Sequence, residues 1–257
     1  MTGPAWIVVP TYNEAENLGV LVRGVRAALP DARVLVVDDN SPDGTGALAD
    51  ELAAADPLVE VLHRPHKAGL GLAYVNGFAH ALRAGAGHVV EMDADLSHDP
   101  ADLPRLLAAA EAGADLVLGS RYVPGGGVED WDLLRRVLSR GGCRYARTVL
   151  GVGVRDLTGG FKCFRAETLR AIDFETVRSE GNAFQVELTY RALVRGLRVV
   201  EIPIVFRDRE LGASKMSWQI TAEAAWLVPQ LRNGAAHLRH PAAGPQAAPP
   251  PRRIDTG

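Results

Sequence analysis

Two aspartates, Asp93 and Asp95 of Asp93-Ala94-Asp95, directly follow the apolar run His88–Met92. On extended backbone, residues two apart point to the same side, so both carboxylates can face one point in space. Two acids at the C-terminal end of a buried strand make a hard-oxygen site suited to Mg²⁺ or Mn²⁺, an ion that usually shares its coordination with substrate phosphates. An isolated pair of this kind is more often a plain turn, but this one has companions. The run Trp6–Val9 ends in Pro10-Thr11-Tyr12-Asn13-Glu14, and Val34–Val37 ends in Asp38-Asp39-Asn40-Ser41-Pro42-Asp43-Gly44. An acid after the second strand can accept hydrogen bonds from a ribose or a base edge. No glycine-rich dinucleotide fingerprint and no P-loop follows the first run. Gly69-Leu70-Gly71 follows Lys67-Ala68 rather than a strand and reads as a tight turn.

The elements that must position these groups alternate in type. Helical spacing is expected over about Glu14–Ala28, capped by Asn13 or Thr11, then over Thr45–Ala55, Leu70–Ala84 and Ala101–Ala112. Short apolar runs at Trp6–Val9, Val34–Val37, Val59–Leu62, His88–Met92 and Asp115–Leu118 read as strands. Such alternation predicts an α/β fold, a parallel sheet covered on both faces with its ligand site along the strand C-termini. The second half is less regular. After Pro124-Gly125-Gly126-Gly127 a helix is expected over Trp131–Leu150, a strand at Phe161–Phe164, a helix at Ala183–Arg195 and a strand at Arg198–Phe206. Residues 207–217 read as a loop, Ser217–Leu238 as an amphipathic helix interrupted by Pro229, and 241–257 as a disordered Pro/Ala-rich tail behind a single domain over residues 1–240.

Composition narrows the class. The 257 residues are 47% hydrophobic and 23% charged, ordinary for a globular chain. A net charge of −3 argues against a nucleic-acid binder. Cys143 and Cys163 are too few for a disulfide framework, so a reducing cytoplasm is expected and both read as small core fillers. No apolar stretch reaches the roughly eighteen residues of a spanning helix, and MTGPAWIVVP lacks the basic region of a signal peptide.

The segments VVPTYNEAENL, VVDDNSPDGT, GLGLAYVNGF, MDADLSHDP, GSRY, DLTGGFKCFR and DRELGASKMS, in this order, resemble a family 2 glycosyltransferase of GT-A fold, and more narrowly the dolichol-phosphate (polyprenol-phosphate) mannose synthases. The likeness spans about residues 5 to 230. It implies a GT-A, mostly parallel central sheet flanked by helices, and an inverting transfer of mannose from GDP-mannose to a polyprenyl phosphate at the cytoplasmic face of the membrane. Carried onto matching positions, it makes Pro10, Tyr12 and Glu14 walls of the nucleotide pocket, and gives Val37 and Asp39 the guanosine. Asp93 and Asp95 would bind Mg²⁺ or Mn²⁺, with the main chain of Ala94 and the side chain of Arg121 touching the donor. Arg209 and Lys215 would close over the diphosphate. Ser97 stands where some relatives place a glutamine near the metal, and a serine hydroxyl reaches less far.

An acceptor phosphate needs its own cations. Arg136, Arg140 and Arg144 are four apart and share a helix face, beside Leu133, Leu134, Val137 and Leu138. A basic amphipathic helix suits a phosphate held at a bilayer surface, although Gly141-Gly142 weakens it. With the resemblance, Arg136 and Ser139 or Arg140 are the expected acceptor contacts. A separate membrane-anchoring protein is compatible with a chain of this kind. Asp156 either positions the sugar or caps a turn, and Gln185 and Glu187 serve either the sugar or a buried polar network. The alternatives are hexosyl (glucosyl) transfer to the same lipid, nucleotidyl transfer, and a non-catalytic nucleotide-binding membrane-surface module. The acidic PTYNEAEN argues against nucleotidyl transfer, and intact Asp93, Asp95, Arg209 and Lys215 argue against the module.

Overall fold

The computed structural model describes residues 3–177, 179–207 and 228–234. In it the first four apolar runs become β1 (Ala5–Thr11), β2 (Arg33–Asp38), β3 (Val59–His63) and β4 (His88–Glu91), joined by α1 (Ala15–Ala28), α2 (Thr45–Ala55) and α3 (Leu70–Arg83). They pair in parallel in the order β3-β2-β1-β4. The tips of β1, β2 and β4 therefore lie on one rim. The chain continues through α4 (Leu103–Glu111), β5 (Leu116–Ser120), β6 (Gly127–Val128), α5 (Leu133–Leu150), β7 (Lys162–Arg165), α6 (Ala166–Ala171), α7 (Gly181–Val194), β8 (Val199–Pro203) and β9 (Val205–Phe206).

Two departures from the expected parallel sheet stand out. β7 lies antiparallel between β4 and β5 in the seven-stranded order β3-β2-β1-β4-β7-β5-β8. Its Lys162, Cys163 and Phe164 are all buried, and a short run buried on both faces reads alike in either direction. The single strand expected over Arg198–Phe206 divides instead. β8 pairs with β5, while β9 pairs with β6 in a separate two-stranded sheet. Pro203, which has no N–H to donate, closes β8.

Alternate residues of the strands feed two cores, one on each face of the sheet. Trp6, Val8, Leu35 and Val37 pack with Phe78, Phe164 and Phe184. Ile7, Val9, Val34 and Val36 pack with Leu18, Leu21, Leu103 and Leu106. At Gly77 a Cβ would fall 2.4 Å from Val8 Cγ1, so α3 sits on β1 only because that position has no side chain.

The caps also differ from expectation. α1 begins after Glu14, not after Thr11 or Asn13, and Asn13 takes φ +61°, outside helical geometry. Its amide donates instead to Ser41 Oγ at 3.1 Å. α5 is capped by Asp132, which accepts from the Arg135 amide at 2.6 Å, and runs unbroken through Gly141-Gly142 to a left-handed Gly151. Residues 228–233 are helical, with Val228 and Leu231 buried in the first core. The expected 207–217 loop beyond residue 207, most of the Ser217–Leu238 helix and the 241–257 tail lie outside the described residues.

Candidate active site

Seven of the residues singled out from sequence, Pro10, Tyr12, Glu14, Asp39, Asp93, Ala94 and Asp95, line one cavity of ≈ 280 Å³ at the tips of β1, β2 and β4. Adjacent Asp38 and Asp39 divide the work between structure and site. Asp38 accepts from Thr11 Oγ1 at 3.1 Å, Ser41 Oγ at 2.6 Å and the Ser41 amide at 3.2 Å, tying the β2 turn to β1. Asp43 receives the Ala15 amide at 3.2 Å and the Thr45 hydroxyl at 2.6 Å, which fixes the start of α1 against α2. Asp39 instead lines the cavity, where Arg64 Nη1 donates to its Oδ1 at 2.5 Å in a buried pair. Lys67 also lines the cavity, its Nζ 3.8 Å from the Tyr12 ring centroid. Neither Arg64 nor Lys67 was given a site role from the sequence. They occupy the tip after β3, and reading that tip as the other three were read would have found them.

The paired acids lie just beyond β4, with bends at Ala94, Asp95 and Leu96, the last at φ +63°. Each carboxylate is fixed there by its own donor. Tyr74 donates its hydroxyl to Asp93 Oδ1 at 3.0 Å. Ser97 donates its amide at 3.1 Å and its hydroxyl at 2.6 Å to Asp95 Oδ1, so this serine orients a carboxylate where the longer glutamine of relatives would reach further. His98 Nδ1 accepts from the Asp93 amide at 3.3 Å, and its ring stacks on Phe161 at 4.8 Å. Burial holds the His98 pKa below the ordinary histidine value against the pull of Asp93 and Asp95, which suits the neutral ring this acceptor role needs.

The donor set fits a divalent cation of the Mg²⁺ or Mn²⁺ type. Two hard carboxylates face one cavity, and an ion held by them would take its remaining ligands from substrate oxygens and water. Directly beneath, Glu91 and Lys162 face each other across β4 and β7, both buried. Lys162 Nζ donates to the Gln185 carbonyl at 2.7 Å. Glu187, the other polar residue considered there, accepts from Ser179 at 2.5 Å and pairs with Arg191 at 2.6 Å, a buried network rather than part of the cavity.

Two expected donor contacts lie elsewhere. Val37 is fully buried in the core under α3, so its side chain does not line the cavity. Arg121 turns to a second cavity of ≈ 410 Å³, lined also by Tyr122, Arg140, Cys143, Arg144, Arg147 and Arg155. There it is clamped by Asp156, Nε to Oδ2 and Nη2 to Oδ1 both at 2.7 Å, with a further bond to Thr158 Oγ1 at 2.9 Å. Burial alone would lower the Arg121 pKa and raise that of Asp156; their mutual attraction outweighs it, keeping both ionised. Asp156 also accepts from the Gly159 amide at 3.1 Å, so it anchors an arginine and closes a turn. Cys143 borders this cavity, its Sγ 3.3 Å from Thr158 Oγ1, and is more than a core filler, whereas Cys163 is fully buried. Arg209 and Lys215 lie outside the described residues.

Of the expected acceptor contacts, Arg140 lines the arginine cavity, and Ser139 borders it by accepting the Tyr122 hydroxyl at 2.6 Å. Arg136 is exposed on α5 and does not line it. Beside it Leu133 is 78% exposed and Leu134 68%. No helix among the described residues is long and apolar enough to cross a membrane.

Residues 6–173 match the glycosyl transferase family 2. The chain is 55% identical over 223 residues to the polyprenol monophosphomannose synthase of Mycolicibacterium smegmatis, covering 86% of this chain and 84% of that protein. It is 52% identical to the undecaprenyl-phosphate mannosyltransferase of Micrococcus luteus over 84% of this chain and 89% of that one. Among solved structures, a mannosyltransferase from Pyrobaculum calidifontis in complex with GDP-Man and Mn²⁺ superposes with a TM-score of 0.55 at 18% identity, covering 93% of this chain and 74% of that one.

Proposed function

The chain belongs to glycosyltransferase family 2, and from that membership we propose a polyprenyl-phosphate mannosyltransferase that takes mannose from GDP-mannose and leaves it β-linked to the lipid phosphate. The observation that carries this reading is the meeting of Asp39, Asp93 and Asp95 in one cavity at the tips of parallel strands. The names of the two mannosyltransferase relatives support the sugar and the lipid acceptor.

Within that reading each residue has a physical task. Asp39, fixed by Arg64, accepts hydrogen bonds from the nucleoside, with Pro10, Tyr12 and Glu14 as walls and Lys67 at the mouth. Asp93, Asp95 and the Ala94 main chain face the diphosphate. Asp93 and Asp95 would hold a Mg²⁺ or Mn²⁺ ion, which would supply charge stabilisation to the departing diphosphate. Arg209 and Lys215 would add positive charge there. Arg140, Ser139 and the arginines beside them hold the acceptor phosphate, and Arg121 belongs with them rather than with the donor. Arg136 and the exposed leucines of α5 would face an anionic bilayer surface, making this a peripheral membrane enzyme. The acceptor phosphate is ionised at neutral pH, so its oxygen attacks the anomeric carbon without a strong general base, and in-line displacement inverts that centre.

Incubation with labelled GDP-mannose, GDP-glucose or UDP-glucose and a short polyprenyl phosphate, followed by lipid extraction, tests the assignment. Label should enter the lipid from GDP-mannose, and Asp95→Ala or EDTA should abolish it. Transfer that survives EDTA would remove the metal role, and label from UDP-glucose alone would overturn the sugar.

A further inference from the structure

We infer that Tyr74 is a positioning residue for Asp93, its phenol oxygen setting where the first carboxylate of the pair meets a divalent cation. The inference rests on the metal-dependent reading above and adds a residue that the helical spacing of α3 presents as one more member of an apolar stripe.

The geometry separates Tyr74 from an ordinary core tyrosine. Its ring is fully buried, stacked on Phe184 with centroids 6.0 Å apart at 8° and tilted against Phe78 at 5.7 Å. A ring packed on two sides at core density has one position, and so has the oxygen it carries. That oxygen donates to Asp93 Oδ1 at 3.0 Å. Asp93 itself lies two residues past the end of β4, outside the strand pairing. Ser97, which orients Asp95, comes from the same connection beyond β4, two residues further on. Tyr74 comes from α3, on the far side of the cavity, and so ties the carboxylate pair to a helix that is itself seated on β1. A hydrogen bond from outside the coordination sphere that orients a ligating group typically changes metal affinity 10–100-fold when lost.

Tyr74→Phe removes the oxygen and keeps the packed ring. The measurement is Mn²⁺ binding by electron paramagnetic resonance with GDP present, beside GDP binding in EDTA for both proteins. The Mn²⁺ dissociation constant should rise about 10-fold or more, GDP affinity in EDTA should stay within about twofold, and transfer should recover at high Mn²⁺ with kcat nearly restored. An unchanged Mn²⁺ constant would overturn the positioning role while leaving the metal site standing. No Mn²⁺ binding by the unaltered protein would instead remove the metal site and the role together. Should Tyr74→Phe fail to fold, tyrosine ¹³Cζ spectra of the unaltered protein decide. The Tyr74 resonance, assigned by elimination through Phe variants of the other four tyrosines, should shift when Mg²⁺ joins GDP, and a stationary resonance would overturn the proposal.

Discussion

Replacing Asp156 by alanine should cost more stability than any surface change and should do so in a pH-dependent way. Asp156 is buried and accepts five hydrogen bonds, from the Arg121 amide, Nε and Nη2, from the Gly159 amide and from the Cys143 thiol. Alanine leaves the buried guanidinium of Arg121 without its counter-charge, a change that costs about 3–5 kcal/mol. At roughly 2–4 °C per kcal/mol for a chain of this size, the melting temperature should fall by about 6–20 °C. Asp156→Asn keeps the shape and one acceptor oxygen but removes the same counter-charge, so it should cost nearly as much as alanine. The sign with pH follows from the depressed carboxyl. The folded protein holds Asp156 below its ordinary value of 3.8, so its contribution is complete above that value and disappears as the pH falls through the folded one. Urea titrations of the unaltered and Asp156→Ala proteins at pH 7 and in acid should therefore show a gap that narrows below about pH 4. A loss under about 1 kcal/mol at pH 7, or a gap of constant size in acid, would refute the claim that this pair is a buried, ionised clamp.

Gly77→Ala should lower the urea midpoint by about 1–3 kcal/mol equivalent without changing the slope, because the new methyl would sit 2.4 Å from Val8 Cγ1; an unchanged midpoint would mean that α3 does not pack this closely on β1. Burial raises the Glu91 pKa to about 8 and lowers that of Lys162 to about 8. Between its unfolded value of 4.5 and about 8, Glu91 keeps a proton that the unfolded chain releases, so stability declines as pH rises; from about 8 to 10.5 Lys162 reverses the slope. Thermal melts across that range should show a minimum near pH 8, which Glu91→Leu with Lys162→Met should remove; a dip that persists in the double variant would place its origin elsewhere.

The strand tips carried most of what the sequence could reveal. Apolar runs ended by polar clusters located β1, β2 and β4, and their acids did meet in one cavity. Long-range pairings were opaque for a physical reason. Ser41, three residues on, holds Asp38 in a turn, whereas Asp39 meets Arg64, twenty-five residues on, and the Ala68 amide, pairings that no local pattern displays. The resemblance gave Arg121 to the donor; its buried pairing with Asp156, thirty-five residues away, has no local signal. Val37 was assigned a contact, yet strand alternation sends its side chain into the core. Tyr74 and His98 stand inside the quoted segments GLGLAYVNGF and MDADLSHDP, yet nothing in those strings says which acid a hydroxyl or imidazole meets until the fold is seen. The reversed β7 was likewise unreadable, because the direction of a four-residue buried strand is decided by how the preceding loop arrives.

That reversal decides where the chain tolerates change. Because β7 runs against its neighbours, residues 156–161 enter it from the same rim that β4 and β5 reach at their ends. One connector thus borders both cavities: Asp156 secures Arg121 at one end, and at the other a Cβ on Gly160 would lie 3.5 Å from Asp93 Oδ2. Lengthening it by a single residue would displace both halves of the machinery together. Insertions at the opposite edge, in the turns around Gly85 and Gly113, would leave the rim untouched. Sequence drift and engineering alike should find their freedom on that quiet side of the sheet.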